Sequence, residues 1–478
     1  MDINLFRKCI EFYNPWWKQN NSLLGIPVYR RSSYDDIFNS VLSIDQIISV
    51  TGPRRVGKTT ILKQVVSDLI TIENINPFDI MYISMDDPFI YSIRHSPGIF
   101  DDIISNFIDY TKDFGSEGKK YIFIDEIQRF DGWELFLKKY YDSKMNFKFI
   151  ISGSYSSFIN IKSKESLAGR IKNFKLFPFS FEEYLTFTLL SDDLSDIRMK
   201  ESILKSISDL HTIIAPSIFG DFTFEASLTD ILSTVNKLAM FEDELFKYFN
   251  KYLLYGGFIE GWMMPNEKLQ YEYLYQTQIE KILLEDIYLI EDIKNTDVLS
   301  SLFFYLAINF TDEFNILSLA EKLKVHRETI EKYLKILEES NLILRLEKYQ
   351  SNINKASNVK IFLIDHGVRN SILKVREEDI LSSPELFNKY IMNLLYVFIQ
   401  QKGNIVDCKY YRNRDKEIDF IFRSSSGVSA CIDIKGRKFF QDLSGKLKIE
   451  NRILITKDFN ISYDNGLLKI PYIIFLLS

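Results

Sequence analysis

The chain has few of the features that mark secreted, zinc-bound or membrane-spanning proteins. Its 478 residues include only three cysteines, Cys9, Cys408 and Cys431, and they contain no Cys-x-x-Cys pair. This spacing argues against a disulfide framework or a structural zinc site, and it favours a reducing, cytoplasmic setting. No run reaches the roughly 20 apolar residues that cross a bilayer, and the first residues lack a signal-peptide core. We therefore expect a cytoplasmic protein with no membrane partner.

A strong positive charge is also lacking. The formal net charge is −6 at pH 7, and 26% of the residues are charged. A globally acidic chain is repelled by phosphate at long range, so contact with DNA or RNA would require a local basic patch. With 46% hydrophobic residues, the chain is long enough to form about three domains, each with its own core.

A glycine-containing segment follows the short apolar strand predicted at residues 47–50. Residues 52–60 read Gly-Pro-Arg-Arg-Val-Gly-Lys-Thr-Thr and fill the phosphate-loop pattern G-x-x-x-x-G-K-[ST]. The glycines let backbone N–H groups and the following helix N-terminus face phosphate oxygens, which favours a bound nucleotide. Lys58 would reach the β- and γ-phosphates, and the Thr59 hydroxyl would hold Mg²⁺. The predicted nucleotide-binding residues are Gly52, Pro53, Arg54, Arg55, Val56, Gly57, Lys58, Thr59 and Thr60.

An acidic pair ends a second continuous apolar strand, at residues 119–126. Asp125 would hold Mg²⁺, directly or through water, and Glu126 would polarise the water that attacks the γ-phosphate. Buried parallel strands also end in aspartate for structural reasons, but the distance from Lys58 suits two strands of one sheet. Together the two motifs predict hydrolysis of a nucleoside triphosphate with bound Mg²⁺.

Two further polar residues follow the apolar strand predicted at residues 147–151. Ser154 is predicted to contact the γ-phosphate or the attacking water, and the alternative is a turn residue that bonds its own backbone. Arg170 precedes the next strand and is predicted to act as an arginine finger on a neighbouring subunit's nucleotide. A surface ion pair is the alternative for Arg170.

The order of these segments resembles a widespread group of prokaryotic AAA+-type ATPases. The resemblance rests on residues 52–59, 123–128, 152–154, 168–170 and 176–184, and it extends to the connector at 252–258 and the arm at 14–17. Ile259 stands where a proline commonly follows the connector. The resemblance implies ATP as the nucleotide, a winged-helix domain and a C-terminal domain similar to PD-(D/E)XK nucleases. In the arm, Trp16 and Trp17 are expected to brace the ATPase domain, with an oligomer contact as the alternative.

A compact helical unit begins near residue 297. Apolar residues recur at helical spacing in 315–323 and 326–337, and residues 342–346 follow as a strand. This order predicts a winged helix-turn-helix.

The second of these helices carries charge of both signs. Arg327, Lys332 and Lys335 could meet phosphates or bases of DNA, whereas Glu328 and Glu331 would oppose its approach. DNA binding and protein packing inside a homo-oligomer are therefore both open for this unit.

The C-terminal region has the element order of a PD-(D/E)XK fold. A helix at 386–401 precedes strands at 405–411, 417–422 and 428–433. On these strands Asp419 and Asp433 are candidates to hold a second Mg²⁺, and Lys435 would steady an attacking hydroxide. Glu417 shares the strand face of Asp419.

The helix that often carries a metal-ligating glutamate in such nucleases has Met392 or Asn393 at the matching place. That difference weighs against cleavage, so a binding or scaffolding domain is the alternative. A salt-bridged Asp-Lys cluster without metal would explain the same residues.

The predicted fold class is α/β. A P-loop AAA+-type ATPase domain is followed by a helical connector, a winged helix-turn-helix and a restriction-endonuclease-like α/β domain. We expect Mg-ATP hydrolysis that repositions the later domains; an ATP-gated nuclease and a nucleotide-regulated switch protein are the alternatives. The predicted boundaries are 1–24 for the arm, 25–188 for the ATPase domain, 189–295 for the helical insertion and connector, 296–350 for the winged helix and 351–478 for the nuclease-like domain.

Overall fold

A computed structural model provides the architecture, and it divides the chain into two compact units. The first contains Met1–Leu176 with Glu339–Asn341, and the second contains Phe177–Glu338 with Leu342–Ser478. The predicted boundaries at residues 188, 295 and 350 all fall inside the second unit. None of the helices in the described ranges combines the length and apolarity that a bilayer span requires. The structure describes residues 3–18, 25–96, 98–154, 167–191, 197–219, 224–287, 293, 295–349, 358–402, 405–413, 416–424, 429–434, 449 and 451–478.

The first unit is built on a parallel sheet that, in the described part of the chain, has five strands in the order β2-β3-β4-β1-β5. The first four are almost wholly buried apolar runs, as expected of strands in a parallel sheet with both faces covered. This order places the end of β4 between the ends of β3 and β1. The strands are β1 (Ile47–Thr51), β2 (Ile80–Ser84), β3 (Lys120–Asp125), β4 (Phe147–Gly153) and β5 (Ile171–Lys175).

Helices cover this sheet through their apolar residues. The helix that follows the phosphate-loop sequence buries Ile61, Leu62, Val65 and Val66. The helices of this unit are α1 (Ile3–Tyr13), α2 (Tyr34–Ser43), α3 (Lys58–Thr71), α4 (Pro88–Ile93), α5 (Ile99–Thr111) and α6 (Trp133–Asp142), with short 3₁₀ turns at Pro15–Trp17, Pro77–Asp79 and Ile127–Arg129.

The N-terminal arm lies along β2, which ends the strand order. The Asn14 side chain donates to the Tyr82 carbonyl at 2.8 Å and accepts from the Tyr82 backbone N–H at 2.6 Å. The indole N–H groups of Trp16 and Trp17 both donate to the Ile80 carbonyl, at 3.2 and 3.0 Å. The arm therefore satisfies backbone groups that an edge strand would otherwise leave unpaired. These contacts support the bracing interpretation of the two tryptophans.

The second unit begins with helices and contains a long mixed sheet. The stretch between residues 189 and 240, for which the sequence predicts a helical insertion, contains the paired helices α8 and α9. The helices are α7 (Phe181–Ser191), α8 (Ile197–Phe219), α9 (Phe224–Ala239), α10 (Glu242–Tyr255), α11 (Ile259–Trp262), α12 (Glu267–Leu274), α13 (Thr296–Ile308), α14 (Ile316–Leu323), α15 (Arg327–Glu339), α16 (His366–Leu373), α17 (Glu377–Leu381), α18 (Pro384–Gln401) and α19 (Tyr472–Leu476), with π-helical turns at Tyr275–Glu280 and Ile282–Asp286.

Among the described residues, the sheet of this unit has nine strands in the order β13-β14-β12-β11-β10-β9-β7-β8-β6. The predicted wing strand is β7, which pairs with β8 on one side and with β9 on the other. The boundary predicted at residue 350 falls between β7 and its partner β8, and the division into a winged-helix and a nuclease-like domain stays a prediction. The strands are β6 (Glu313–Asn315), β7 (Ile343–Lys348), β8 (Asn358–Leu363), β9 (Ile405–Asn413), β10 (Lys416–Ser424), β11 (Ser429–Asp433), β12 (Asn451–Thr456), β13 (Ser462–Asp464) and β14 (Leu467–Pro471).

Side chains of α16 cap the end of α10. His366 Nε2 donates to the Tyr252 carbonyl at 2.6 Å, and Asn370 donates to the carbonyls of Leu253 and Leu254 at 2.9 and 2.8 Å. The last carbonyls of a helix lack intrahelical partners, so these bonds replace the missing ones.

The glycine connector after α10 is also held by this segment. The buried Asp365 carboxylate accepts from the Gly257 backbone N–H at 2.6 Å. A Cβ atom at Gly257 would lie 2.4 Å from the Phe179 carbonyl oxygen. The close approach of these backbones explains why glycine is required in the connector.

Candidate nucleotide-binding site

The loop between β1 and α3 has a backbone that only glycine readily adopts at two positions. Gly57 has φ +93° and Gly52 has φ +148°. A Cβ atom at Gly52 would lie 2.3 Å from the Leu176 carbonyl oxygen, so a side chain has no room there. The curled loop leads directly into the N-terminus of α3, where Lys58 is the first helical residue.

Lys58 extends back across this loop. Its side chain is buried, and Nζ donates to the carbonyls of Gly52 and Pro53 at 3.1 and 2.9 Å. Nζ also donates to Ser154 Oγ at 3.2 Å. Because Ser154 follows β4, the ammonium group joins the ends of β1 and β4. The predicted phosphate-binding lysine thus lies beside the residue predicted to sense the γ-phosphate.

Asp125 lies at the end of β3 and meets the first turn of α3. Thr59 Oγ1 donates to Asp125 Oδ2 at 2.6 Å, and the Tyr82 hydroxyl donates to the same oxygen at 2.5 Å. The other oxygen, Oδ1, accepts from the Ser152 hydroxyl and from the Glu126 backbone N–H. The structure therefore brings the predicted metal ligands Thr59 and Asp125 together. A hydroxyl and a carboxylate oxygen are ligands that suit Mg²⁺.

Glu126 has an unusual backbone conformation for a non-glycine residue, with φ +53°. Residues held in this region cost free energy and cluster at functional sites. Its carboxylate accepts from the Gln128 side-chain amide and lies 3.4 Å from Ser154 Oγ. Ser154 therefore contacts both Lys58 and Glu126, an arrangement compatible with the predicted sensor and different from a bond to its own backbone.

Arg170 is part of an ion pair at the other end of the same sheet. Its Nε lies 2.7 Å from Asp142 Oδ1, and a second guanidinium nitrogen donates to Oδ2 at 3.2 Å. The guanidinium hydrogen bond lowers the pKa of the Asp142 carboxyl below its ordinary value. This geometry matches the ion-pair alternative, and the arginine-finger role stays a prediction.

Four residues that contact this site have no role predicted from the sequence. Tyr82 and Ser152 bind the Asp125 carboxylate, and Gln128 binds Glu126. Arg31, buried, donates to the Val56 carbonyl of the loop at 3.0 Å. Ser152 lies in the Ser-Gly-Ser sequence at the end of β4, whereas Tyr82 and Arg31 lie in segments without a motif.

The two acidic residues predicted for the C-terminal region lie opposite each other. β10 and β11 are antiparallel, and the pairing of Phe420 with Ile432 sets Asp419 across from Asp433. Both side chains are fully buried, and Asp419 Oδ2 accepts from the Ile434 backbone N–H at 3.0 Å. Lys435 lies outside the described residues. Within those residues, no group of three or more histidine, cysteine or acidic side chains could hold a metal ion.

The neighbours of this pair have structural partners. Glu417 lies 2.7 Å from the buried Lys360 ammonium group. Met392 is buried, and the Asn393 side chain pairs with the Leu363 backbone, accepting from its N–H at 2.8 Å and donating to its carbonyl at 3.0 Å. Asn393 therefore holds α18 to β8, at one of the two positions compared with the metal-ligating glutamate of such nucleases.

The charged face of α15 is internally paired. Glu331 contacts Arg327 at 3.7 Å on the same helix and Arg345 at 3.0 Å on β7. One carboxylate thus offsets one of the two positive charges, and DNA binding by this face stays a prediction.

Two segments of the chain match known protein families. Residues 45–185 match the protein family described as AAA domain, and residues 246–379 match a family described as a domain of unknown function. The parallel sheet, the phosphate loop and the first match define the class of this part of the chain as an AAA-type P-loop ATPase fold.

The relatives found by sequence have no assigned activity. An uncharacterized protein of Methanocaldococcus jannaschii is 24% identical and covers 89% of this chain and 84% of its own length. An uncharacterized protein of Haemophilus influenzae is 24% identical and covers 80% and 81%, respectively. Among solved structures, a Walker-type ATPase of Pyrococcus abyssi is 14% identical to this chain, with a TM-score of 0.37. The match covers 75% of this chain and 97% of that protein.

Proposed function

We propose that the chain binds ATP with Mg²⁺ and hydrolyses it at the site between β1, β3 and β4. The 2.6 Å contact between Thr59 Oγ1 and Asp125 Oδ2 is the main support, since it places a hydroxyl and a carboxylate where one cation could take both. The nucleotide would be held by the loop residues 52–60. Bound Mg²⁺ would neutralise charge on the phosphate oxygens.

The residues around the loop would divide the chemistry. Lys58 would bind the β- and γ-phosphates, and Glu126 would orient and polarise the attacking water. Ser154, which contacts both side chains, would report the γ-phosphate to Glu126. Arg170 would serve the nucleotide of a neighbouring subunit in a homo-oligomer.

The test separates binding from turnover. Lys58→Ala should lose ATP binding, because Lys58 is the cation that would bind the β- and γ-phosphates. Glu126→Gln should keep binding and lose turnover by roughly 10²-fold or more, the usual contribution of a general base. Binding is measured with a fluorescent ATP analogue and turnover by phosphate release; wild-type turnover in both variants would exclude the mechanism.

A second function is favoured by the pair formed by Asp419 and Asp433. Two carboxylates that face each other across adjacent strands could share one divalent cation, because Mg²⁺ takes oxygen ligands. We therefore keep an ATP-gated, metal-dependent nuclease as the second candidate. Cutting of DNA or RNA that requires Mg²⁺ or Mn²⁺ and disappears in Asp433→Ala would support it. If neither metal promotes cutting, the domain serves binding, and ATP would act by repositioning it.

A further inference from the structure

Tyr82 contacts Asp125 from a strand that carries none of the motif residues. β2 and β3 run parallel, and their register pairs Ser84 with Asp125 and Tyr82 with Phe123. The Tyr82 ring is buried, and its hydroxyl lies 2.5 Å from Asp125 Oδ2. A carboxylate oxygen can only accept, so the Tyr82 hydroxyl is the donor in this contact.

Four donors in the described part of the chain bind the Asp125 carboxylate, and they differ in what they can do. Ser152 and the Glu126 N–H bind Oδ1, while Thr59 and Tyr82 share Oδ2. Thr59 is itself a candidate Mg²⁺ ligand. A Mg²⁺ ion bound by both Thr59 and Asp125 would replace the Thr59 hydroxyl proton between the two oxygens. Tyr82 is the donor on Oδ2 that can stay in place with such a cation. The Tyr82 hydroxyl uses one lone pair of Asp125 Oδ2, and the other lone pair faces Thr59.

The position of Tyr82 is fixed in turn by the N-terminal arm. The amide group of Asn14 binds both the N–H and the carbonyl of Tyr82, and Asn14 is fully buried. The indoles of Trp16 and Trp17 bind Ile80, two residues earlier on the same strand. The arm thus holds the β2 backbone at Ile80 and Tyr82 in place.

We propose that Tyr82 is a positioning residue for the metal site, and that Asn14 acts on that site through Tyr82. The inference rests on the proposed Mg-ATP function. A phenol that donates to a carboxylate forms a strong, charge-assisted bond and orients the acceptor. Removing an outer hydrogen-bond partner of a ligating carboxylate typically weakens metal affinity by about 10–100-fold. Loss of the Tyr82 hydroxyl should therefore weaken Mg²⁺ binding and leave metal-free nucleotide binding unchanged.

The test is a Mg²⁺ titration of ATP turnover in the full chain. Tyr82→Phe keeps the ring and removes only the hydroxyl, and it should raise the Mg²⁺ concentration for half-maximal turnover by about 10-fold or more. Binding of an ATP analogue in EDTA should stay at the wild-type level. Tyr140→Phe is the matched control, because Tyr140 is also buried and donates to a carboxylate, Asp101, at 2.9 Å.

The outcomes separate the two proposals. A wild-type Mg²⁺ midpoint in Tyr82→Phe would overturn the positioning role, as would an equal shift in Tyr140→Phe. Absence of Mg²⁺-dependent ATP binding by the wild-type protein would overturn the proposed function itself.

The link to the arm has its own test. Asn14→Ala should raise the Mg²⁺ midpoint in the wild-type background and add little in Tyr82→Phe, since residues that act through one another are not additive. Fully additive shifts would overturn the role of Asn14 and leave that of Tyr82. Trp16→Phe, which removes a bond to Ile80 and leaves both Asn14 bonds to Tyr82, should shift the midpoint less than Asn14→Ala.

Discussion

The side-chain amide of Asn393 pairs with the backbone of Leu363 through both its oxygen and its nitrogen, as a neighbouring strand would. Asn393→Leu has a similar volume but cannot form either bond. The buried N–H and carbonyl of Leu363 would then be unsatisfied, which should reduce the free energy of unfolding by roughly 2–4 kcal/mol. Urea unfolding followed by tryptophan fluorescence would measure the loss. Asn388→Leu, at a half-buried position on the same helix, is the control, and equal losses in both variants would contradict this role of Asn393.

The buried Lys148 ammonium group should make the stability of the first unit depend on pH. It lies within β4, and its ammonium group donates to the carbonyls of Ile44 and Gln46 at 2.5 and 2.6 Å, just after α2 ends. Burial lowers its pKa to about 8, below the value of about 10.4 in an unfolded chain. Both states bind the proton below pH 8, whereas between these values the unfolded state binds more protons than the folded state. Stability contributed by this residue therefore rises as pH increases through that window.

The corresponding measurement compares wild type with Lys148→Met in urea at pH 7.5 and 9.5. The wild-type protein should gain stability over this interval relative to the variant, by about 2 kcal/mol. The variant should also be less stable at pH 7.5, because two carbonyls lose their donor. An identical pH slope in both proteins would show that Lys148 does not titrate in this window.

Substitutions of Arg170 and Asp142 distinguish a catalytic role of the arginine from a role in a surface ion pair. If Arg170 acts on a neighbouring subunit's nucleotide, Arg170→Ala should lower turnover by about 10³-fold, whereas Asp142→Ala should keep it. Mixing Arg170→Ala with Lys58→Ala should restore part of the turnover, since the second variant can still donate its arginine. Wild-type turnover in Arg170→Ala would leave the ion pair as its role.

The paired charges on α15 make a prediction for DNA. Glu331 contacts both Arg327 and Arg345, so Glu331→Ala should expose positive charge and tighten binding if this face meets phosphate. Arg327→Ala should weaken binding and reduce the slope of log affinity against log salt by about 1. Fluorescence anisotropy with labelled double- and single-stranded DNA is the measurement. Equal DNA affinities of the wild type, Glu331→Ala and Arg327→Ala would show that this face of α15 does not bind DNA.

The parts of the nucleotide site that lie close together in sequence could be predicted from sequence. The loop at 52–60 and the acidic end of β3 each have a local pattern, because their chemistry depends on neighbouring residues of one segment. The contact of Tyr82 with Asp125 has no such pattern. It depends on the register of β2 against β3, two strands whose contacting residues are 43 positions apart.

The second unit shows the same limit at larger scale. The helices α14 and α15 and the strand β7 follow from apolar periodicity, with small shifts at their ends. The pairing of β7 with both β8 and β9 joins segments that the sequence assigns to different domains. Periodicity reports which face of a strand is buried but not which strand lies beside it, so the continuous sheet could not be predicted.

Calorimetric titration of the pure protein with ATP, with and without Mg²⁺, tests the central claim most directly. The account predicts ATP uptake by wild type that strengthens with Mg²⁺, and Asp125→Asn should bind ATP in EDTA as wild type does but lose the increase that Mg²⁺ gives. Folded wild-type protein that takes up no purine triphosphate, or an Asp125→Asn variant with an unchanged Mg²⁺ dependence, would contradict it.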